Sequence, residues 1–133
     1  MQFVYATGGR EKYFKGKRAV GDCVIRAIAN ATGLDYKKVY TDLKRLNDNK
    51  SCRNGTPKSV AKKYLEQLGW RWVSCMEIGT GCQVHLCESE LPYGVLVVRL
   101  SKHLTCVKNG VLYDTYDCTR EGSRCVYGYW IKG

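Results

Sequence analysis

Residues 21–28 read GDCVIRAI, and this stretch predicts a helix that begins at a cysteine. Asp22 is a typical N-cap residue, because its carboxylate accepts hydrogen bonds from the free amide groups that open a helix. Cys23 then takes the first helical position, where the helix dipole places about half a positive charge. A thiol in that position ionises more readily, and the thiolate is the nucleophilic form. The alternative role is a small core residue, since free cysteine is among the most buried residue types.

The first half of the chain, which contains this stretch, predicts three helices. The first runs from about Asp22 to Thr32 and ends at Gly33, and its apolar residues recur at spacings of four and three, as on the buried side of a helix. The other two start at Asp35 and at Pro57, where proline suits the first helical turn.

The second half of the chain predicts β-structure. The run 95–100 is almost continuously apolar, as in a buried strand, and Asn109-Gly110 between two β-rich runs is typical of a tight hairpin. The predicted strands are 2–5, 71–75, 95–100, 103–108, 111–116 and 124–131. Helices followed by strands indicate an α+β fold, with helices packed on a C-terminal antiparallel sheet in one domain over residues 1–133.

The hairpin also predicts a pairing register. If Asn109 and Gly110 are the two turn residues, Cys106 pairs with Tyr113, and His103 shares a sheet face with Asp114. The two side chains are then diagonal neighbours, within reach of each other.

Cys23, His103 and Asp114 together match the needs of nucleophilic catalysis by a thiol. An imidazole activates the cysteine, and a carboxylate orients the imidazole and stabilises its protonated form. Cys82, in a glycine-containing loop near His85, is the competing nucleophile, although no helix start supports it. Cys106 alternates away from His103 and is predicted to lie in the core.

Composition narrows the class of protein. No stretch is long and apolar enough for a membrane span, and the polar N-terminus is unlike a signal peptide, so we expect a cytoplasmic protein.

Its eight cysteines would then be mostly free thiols, although Cys118 and Cys125 are expected to lie close together. We expect no cofactor and no structural metal, because CxxC pairs are lacking and an extended Cys82-x2-His85 would point its two ligands to opposite faces.

Positive charge is concentrated in the first half of the chain. Residues 1–70 carry 15 Lys and Arg against 6 Asp and Glu, a net charge of +9, whereas residues 71–133 carry 7 against 6, a net charge of +1. A basic half attracts acidic protein surfaces or nucleic acid. Because no nucleic-acid motif accompanies the charge, an acidic protein or peptide is the preferred partner.

The order of cysteine on a helix start, then histidine, then aspartate on paired strands resembles the papain-like cysteine peptidase and transglutaminase-like superfamily. The chain also resembles a family of small proteins of tailed phages and prophages. That resemblance lies in GDCVIRAIANATG at 21–33, IGTGCQVHL at 78–86, LVVRLSKHLTCVKNGVLYDTYD at 96–117 and RCVYGYW at 124–130. It implies a papain-like fold in which the cysteine helix packs against the sheet, and a location in the host cytoplasm.

One part of the papain-like pattern differs. Where those peptidases usually place a glutamine ahead of the nucleophile to hold the oxyanion, this chain has Lys17. The backbone amide of Cys23 can supply one donor, and Gln83 and Gln2 are the candidates for the second. The loop Gly79-Thr80-Gly81-Cys82 is predicted to border the substrate cleft.

The sequence therefore predicts a cysteine-dependent hydrolase or acyl transferase that acts on an amide, isopeptide or thioester bond. Cys23 would attack the carbonyl, His103 would carry the proton, and Asp114 would orient His103. The alternative is a catalytically inactive copy of the fold that uses its basic helices to bind or inhibit a host defence protein or nucleic acid.

Overall fold

The computed structural model describes residues 1–14 and 21–133. Within these two ranges, three α-helices and six strands build an α+β fold, which confirms the predicted class. The helices are α1 (Cys23–Thr32), α2 (Tyr36–Leu46) and α3 (Lys58–Gln67), and two short 3-10 helices span Arg10–Lys12 and Glu88–Glu90. The strands are β1 (Gln2–Tyr5), β2 (Trp70–Ser74), β3 (Val95–Leu100), β4 (His103–Lys108), β5 (Val111–Asp114) and β6 (Gly128–Lys132).

The strands form one mixed sheet in the order β1-β5-β4-β3-β6-β2. Strand β1 pairs with β5 in parallel, whereas the other neighbours are antiparallel. The prediction of a purely antiparallel sheet is therefore wrong at this edge. Parallel neighbours need a long crossover connection, and here the three helices and three strands lie between β1 and β5 in the chain.

The hairpin of β4 and β5 has the predicted register. Lys108 pairs with Val111 and Cys106 with Tyr113. Asn109 and Gly110 have φ angles of 49° and 78°, the positive values that a tight two-residue hairpin turn requires. Because β5 ends at Asp114, this carboxylate lies at the same end of the sheet as the start of β4.

Each face of the sheet has its own core. On one face the helices pack through Val24, Ile28 and Val39 against strand residues that include Val97. On the other face, Leu96 and Val98 belong to a second core. Its other members include Leu86, Leu91, Cys118 and Val126. Alternate residues of β3 therefore enter different cores, which explains its continuous apolar sequence.

Helix α1 begins at Cys23 and ends at Gly33, as predicted. Gly33 has a φ of 77° and its amide bonds to the carbonyl of Ala29. Asp22 occupies the N-cap position, but the prediction that its carboxylate caps the helix is wrong, because that side chain makes no capping hydrogen bond. The third helix begins at Lys58, one residue after Pro57. Within the described ranges, none of the helices combines the length and the apolar character needed to cross a lipid bilayer.

The structure contains a disulfide between Cys82 and Cys125, which contradicts the expectation of free thiols at these two positions. An isolated bridge between His85 and Cys125 aligns the two segments, with backbone hydrogen bonds from Leu86 to Arg124 and from Val126 to Val84. Cys118 is a buried free thiol, so Cys125 is bonded to Cys82 and not to Cys118.

Candidate active site

The structure brings Cys23, His103 and Asp114 together at one end of the sheet. His103 is the first residue of β4, Asp114 is the last of β5, and Cys23 opens α1. The Nε2 atom of His103 lies 2.7 Å from Oδ2 of Asp114, and since a carboxylate only accepts, Nε2 donates this hydrogen bond. His103 and Cys23 line the same cleft, and the ring and the thiol are close enough for each to shift the pKa of the other. The imidazole therefore interacts with both the carboxylate and the thiol.

Asp114 is held by several donors besides His103. The hydroxyl of Thr105 donates to Oδ2 at 2.6 Å, and the amide of Thr115 donates to Oδ1 at 2.7 Å. The guanidinium of Arg26 lies 3.4 Å from Oδ1. Because Asp114 is only 2 % exposed, these donors are what allow its charge to remain in the interior. They also fix the direction in which the carboxylate faces the imidazole.

The electrostatics of the site favour an ion pair between Cys23 and His103. Burial opposes the imidazolium, but the hydrogen bonds to Asp114, Cys118 and Cys23 outweigh burial and raise the pKa of His103 to about 11. Burial would also raise the pKa of the Cys23 thiol, but the hydrogen bonds from His103 and from the backbone of Leu104, with the nearby positive charges, lower it. Both shifts favour the state in which the ring carries the proton and the sulfur is a thiolate.

The carboxylate of Asp22 belongs to this site as a buried partner of Arg26. Its Oδ1 accepts a hydrogen bond from Arg26, and its Oδ2 accepts one from the hydroxyl of Tyr36 at 2.8 Å. Arg10 lies 3.5 Å from Oδ2. Arg26 thus joins Asp22, which precedes the nucleophile, to Asp114. Sequence reasoning missed this role, although the spacing of four between Asp22 and Arg26 is a signal for a helical ion pair.

Cys23 lines a cleft of about 300 Å³, which we call the Cys23 cleft. One wall comes from the loop before α3, and the other from the start of β4. The lining residues are Gly21, Cys23, Val24, Asn54, Gly55, Thr56, Arg99, Lys102, His103 and Leu104. Sequence reasoning missed Asn54 and Thr56 as lining residues, since they lie in a segment with no periodic pattern.

Gly21 allows the two walls to approach each other. Its φ is 84°, and a Cβ atom at this position would lie 2.8 Å from the carbonyl oxygen of Asn54. Any other residue would therefore clash with the loop and would also be strained by the positive φ.

The predicted oxyanion and loop residues lie elsewhere. Gln2 is on the edge strand β1, opposite Val111, and the side-chain amide of Gln83 donates to the carbonyl of Thr80 at 3.0 Å. Neither residue is among those that line the Cys23 cleft, and the same holds for the predicted substrate loop of Gly79, Thr80, Gly81 and Cys82. Lys17, the position at which the papain-like pattern has glutamine, lies outside the described residues.

The other cysteines differ from Cys23 in their environment. Cys82 is joined to Cys125, so its sulfur is not a nucleophile in this state. Burial raises the pKa of Cys106 to about 12, and the position of Cys106 in the core agrees with its prediction. Burial also raises the pKa of Cys75. Cys23 is therefore the described thiol whose surroundings combine a histidine partner, a lowered pKa and a cleft.

One set of side chains has the donor types of a metal site. His103, Asp114 and Cys118 each offer a ligand atom, and these atoms lie within 4.8 Å of one another. However, the Arg26 guanidinium 3.4 Å from Asp114 already places a positive charge there, which would repel a second cation. The donor set fits a proton-carrying histidine and carboxylate better than a metal centre.

Comparison of the chain with protein-family models, with curated proteins and with solved structures finds no match. The resemblance to papain-like peptidases and to a phage protein family therefore stays a prediction from sequence. What the structure adds is an α+β fold that places a thiol, an imidazole and a carboxylate in contact beside a cleft.

Proposed function

We propose that this chain is a cysteine-dependent hydrolase or acyl transferase with Cys23, His103 and Asp114 as its catalytic residues. The observation that carries the proposal is the position of His103, whose ring bonds to Asp114 at 2.7 Å and lines the same cleft as Cys23. A histidine exposed on a strand would have neither partner. The bond attacked is an amide, isopeptide or thioester.

In the first half of the reaction, the Cys23 thiolate attacks the carbonyl carbon and forms a carbon–sulfur bond, while the carbonyl electrons move to oxygen. When the tetrahedral intermediate collapses, the bond to the leaving group breaks and protonated His103 gives its proton to that group. Asp114 stabilises the imidazolium and keeps its ring in place. An acyl group remains on Cys23 as a thioester.

In the second half, water or an amine attacks the thioester and gives a proton to the now neutral His103. The carbon–sulfur bond breaks, and the thiolate and imidazolium re-form. Water yields a carboxylic acid, and an amine yields a new amide. The backbone amide of Cys23 is the first oxyanion donor, because the first amides of a helix lack intrahelical partners. Asn54, which lines the Cys23 cleft, replaces Gln2 and Gln83 as the candidate for the second donor.

Alkylation by iodoacetamide, followed by peptide mass spectrometry, tests the activated pair. At neutral pH, Cys23 should react faster than Cys75, by at least about tenfold, because a thiolate and not a thiol displaces iodide. Cys75 is a matched control, since both side chains are half-buried but burial raises the pKa of Cys75. His103→Ala should remove the advantage of Cys23 and leave the rate of Cys75 unchanged. Equal rates at Cys23 in the wild type and in His103→Ala would contradict the proposal.

The proposal also includes an acidic protein or peptide substrate, a phage origin and a location in the host cytoplasm. The alternative, an inactive scaffold that binds nucleic acid through its basic helices, makes a different prediction. Binding to nucleic acid should weaken steeply as salt rises, and it should be insensitive to Cys23→Ala. A salt titration with both proteins separates the two functions.

A further inference from the structure

A second cavity, of about 210 Å³, shares a lining residue with the Cys23 cleft. It is lined by Lys58, Lys62, Trp72, Arg99 and Trp130, and we call it the basic cavity. The shared residue is Arg99, which therefore borders both spaces. The volume is below the about 300–1,000 Å³ of a complete small-molecule site. A single side chain or chain end of a ligand held in the Cys23 cleft would therefore fill it.

The apolar side of the basic cavity is a pair of indole rings. Trp72 and Trp130 are opposite each other on β2 and β6, with ring centroids 5.4 Å apart. The Trp72 ring lies on Gly128, where a Cβ atom would be 2.3 Å from the indole. The glycine thus gives room for the ring, and the position of the ring is set by its contact with the backbone. These rings exclude water from one side of the cavity, which strengthens electrostatic interactions within it.

The remaining side of the basic cavity carries three positive charges. Lys58 and Lys62 are one helical turn apart on α3, and Arg99 extends from β3. Over residues 1–14 and 21–133, none of these three side chains forms an ion pair with a carboxylate. By contrast, Lys38 on α2 is paired with Asp42 at 3.1 Å. Three unpaired cations around one small cavity favour an anionic occupant.

We propose that the basic cavity binds a carboxylate of the substrate and so positions an acidic residue, or an acidic chain end, next to the bond that Cys23 attacks. This inference rests on the proposed function, and it names the substrate class for the same site. A carboxylate suits the cavity because the lysines and Arg99 supply charged donors, while the indoles pack against the methylene groups that carry the carboxylate.

Three small alkylating probes that differ in their carboxylates test the proposal. They are iodoacetyl-glutamate amide, iodoacetyl-glutamine amide and iodoacetyl-glutamine with a free terminal carboxylate. In each reaction the Cys23 thiolate displaces iodide and forms a thioether, so the chemistry is constant and only the occupant of the basic cavity changes. We expect a carboxylate probe to react about tenfold faster with Cys23 than the neutral probe does, a difference of about 1.4 kcal/mol. The carboxylate that gives the advantage identifies its source as a side chain or a chain end.

Lys62→Glu should abolish this preference, whereas Lys63→Glu should keep it. Lys63 is exposed on the same helix, and the substitution changes the net charge equally, but its side chain does not line the basic cavity. Equal rates for the three probes in the wild type, or a preference that survives Lys62→Glu, would overturn the proposal. Failure of the proposed function looks different, because then iodoacetamide itself would react no faster with Cys23 than with Cys75.

Discussion

The bond between His103 and Asp114 is the contact whose removal tests the site most directly. Asp114→Asn keeps the shape of the side chain, and its single amide oxygen can still accept from the amide of Thr115, which bonds Oδ1 in the wild type, or from the hydroxyl of Thr105, which bonds Oδ2. The substitution removes the negative charge that faces Nε2 of His103 at 2.7 Å. Because the carboxylate stabilises the imidazolium, its loss should make His103 easier to deprotonate.

The size of the effect follows from the type of bond. A hydrogen bond to a charged group contributes about 1.5–3 kcal/mol, and one pKa unit corresponds to about 1.4 kcal/mol. In Asp114→Asn, the pKa of His103 should therefore fall by about one to two units from its value of about 11 in the wild type. The same loss shifts the equilibrium from thiolate and imidazolium toward thiol and neutral imidazole. Alkylation of Cys23 should then slow, because the imidazolium that stabilises its thiolate is itself less stable.

The pKa of His103 can be followed by NMR as pH is varied, because the chain contains two histidines, His85 and His103. The His85 ring pairs with Glu90 at 3.2 Å, so its signals serve as an internal reference. Asp117→Asn is the matched control, since it makes the same substitution at an exposed carboxylate that is bonded to Thr119. If His103 titrates identically in the wild type and in a folded Asp114→Asn protein, Asp114 does not stabilise the imidazolium and the reasoning fails.

Three further predictions concern stability and the shape of the site. Arg26→Met should lower the free energy of unfolding by about 3–5 kcal/mol in urea denaturation, because it leaves the carboxylate of Asp22 buried without its cation. A loss below 1 kcal/mol would show that the pair is not needed. Gly21→Ala should slow alkylation of Cys23 and destabilise the fold by more than about 1 kcal/mol, since the added Cβ atom meets Asn54 at a positive φ. The raised pKa of His103 stabilises the fold fully below pH 6.5, and this stabilisation is lost as pH rises toward about 11. The difference in unfolding free energy between wild type and His103→Gln should therefore narrow from pH 6.5 to pH 10, and a gap that widens would contradict the assigned protonation.

Local chemistry made part of the site predictable from sequence. Asn109-Gly110 specifies a tight turn, and a tight turn fixes the register by counting, so His103 and Asp114 could be placed together before any coordinates. The start of α1 at Cys23 was predictable for a similar reason, since the glycine and aspartate before it interrupt any preceding structure. In both cases the information lies within a few residues of the feature.

Features that depend on distant partners were not predictable in this way. Periodicity shows that residues 2–5 suit a strand, but it does not show that β1 pairs in parallel with β5. The approach of Asn54 to Gly21 depends on how α3 packs, and the pairing of Cys82 with Cys125 depends on a bridge between two irregular segments. In each case the packing of the whole chain determines the partner. The sequence of one short stretch does not contain that information.

The buried charges explain why the aspartate that precedes the nucleophile does not cap its helix. Arg26 alone beside Asp114 would neutralise much of the carboxylate that His103 needs. Because Asp22 binds another nitrogen of the same guanidinium, the positive charge of Arg26 is shared between two carboxylates, and Asp114 keeps enough negative charge to stabilise the imidazolium. The guanidinium at the same time holds the end of β5 against the first turn of α1. The stretch at residues 21–28 therefore supplies the thiol and also the charges that fix the partner of the thiol in position.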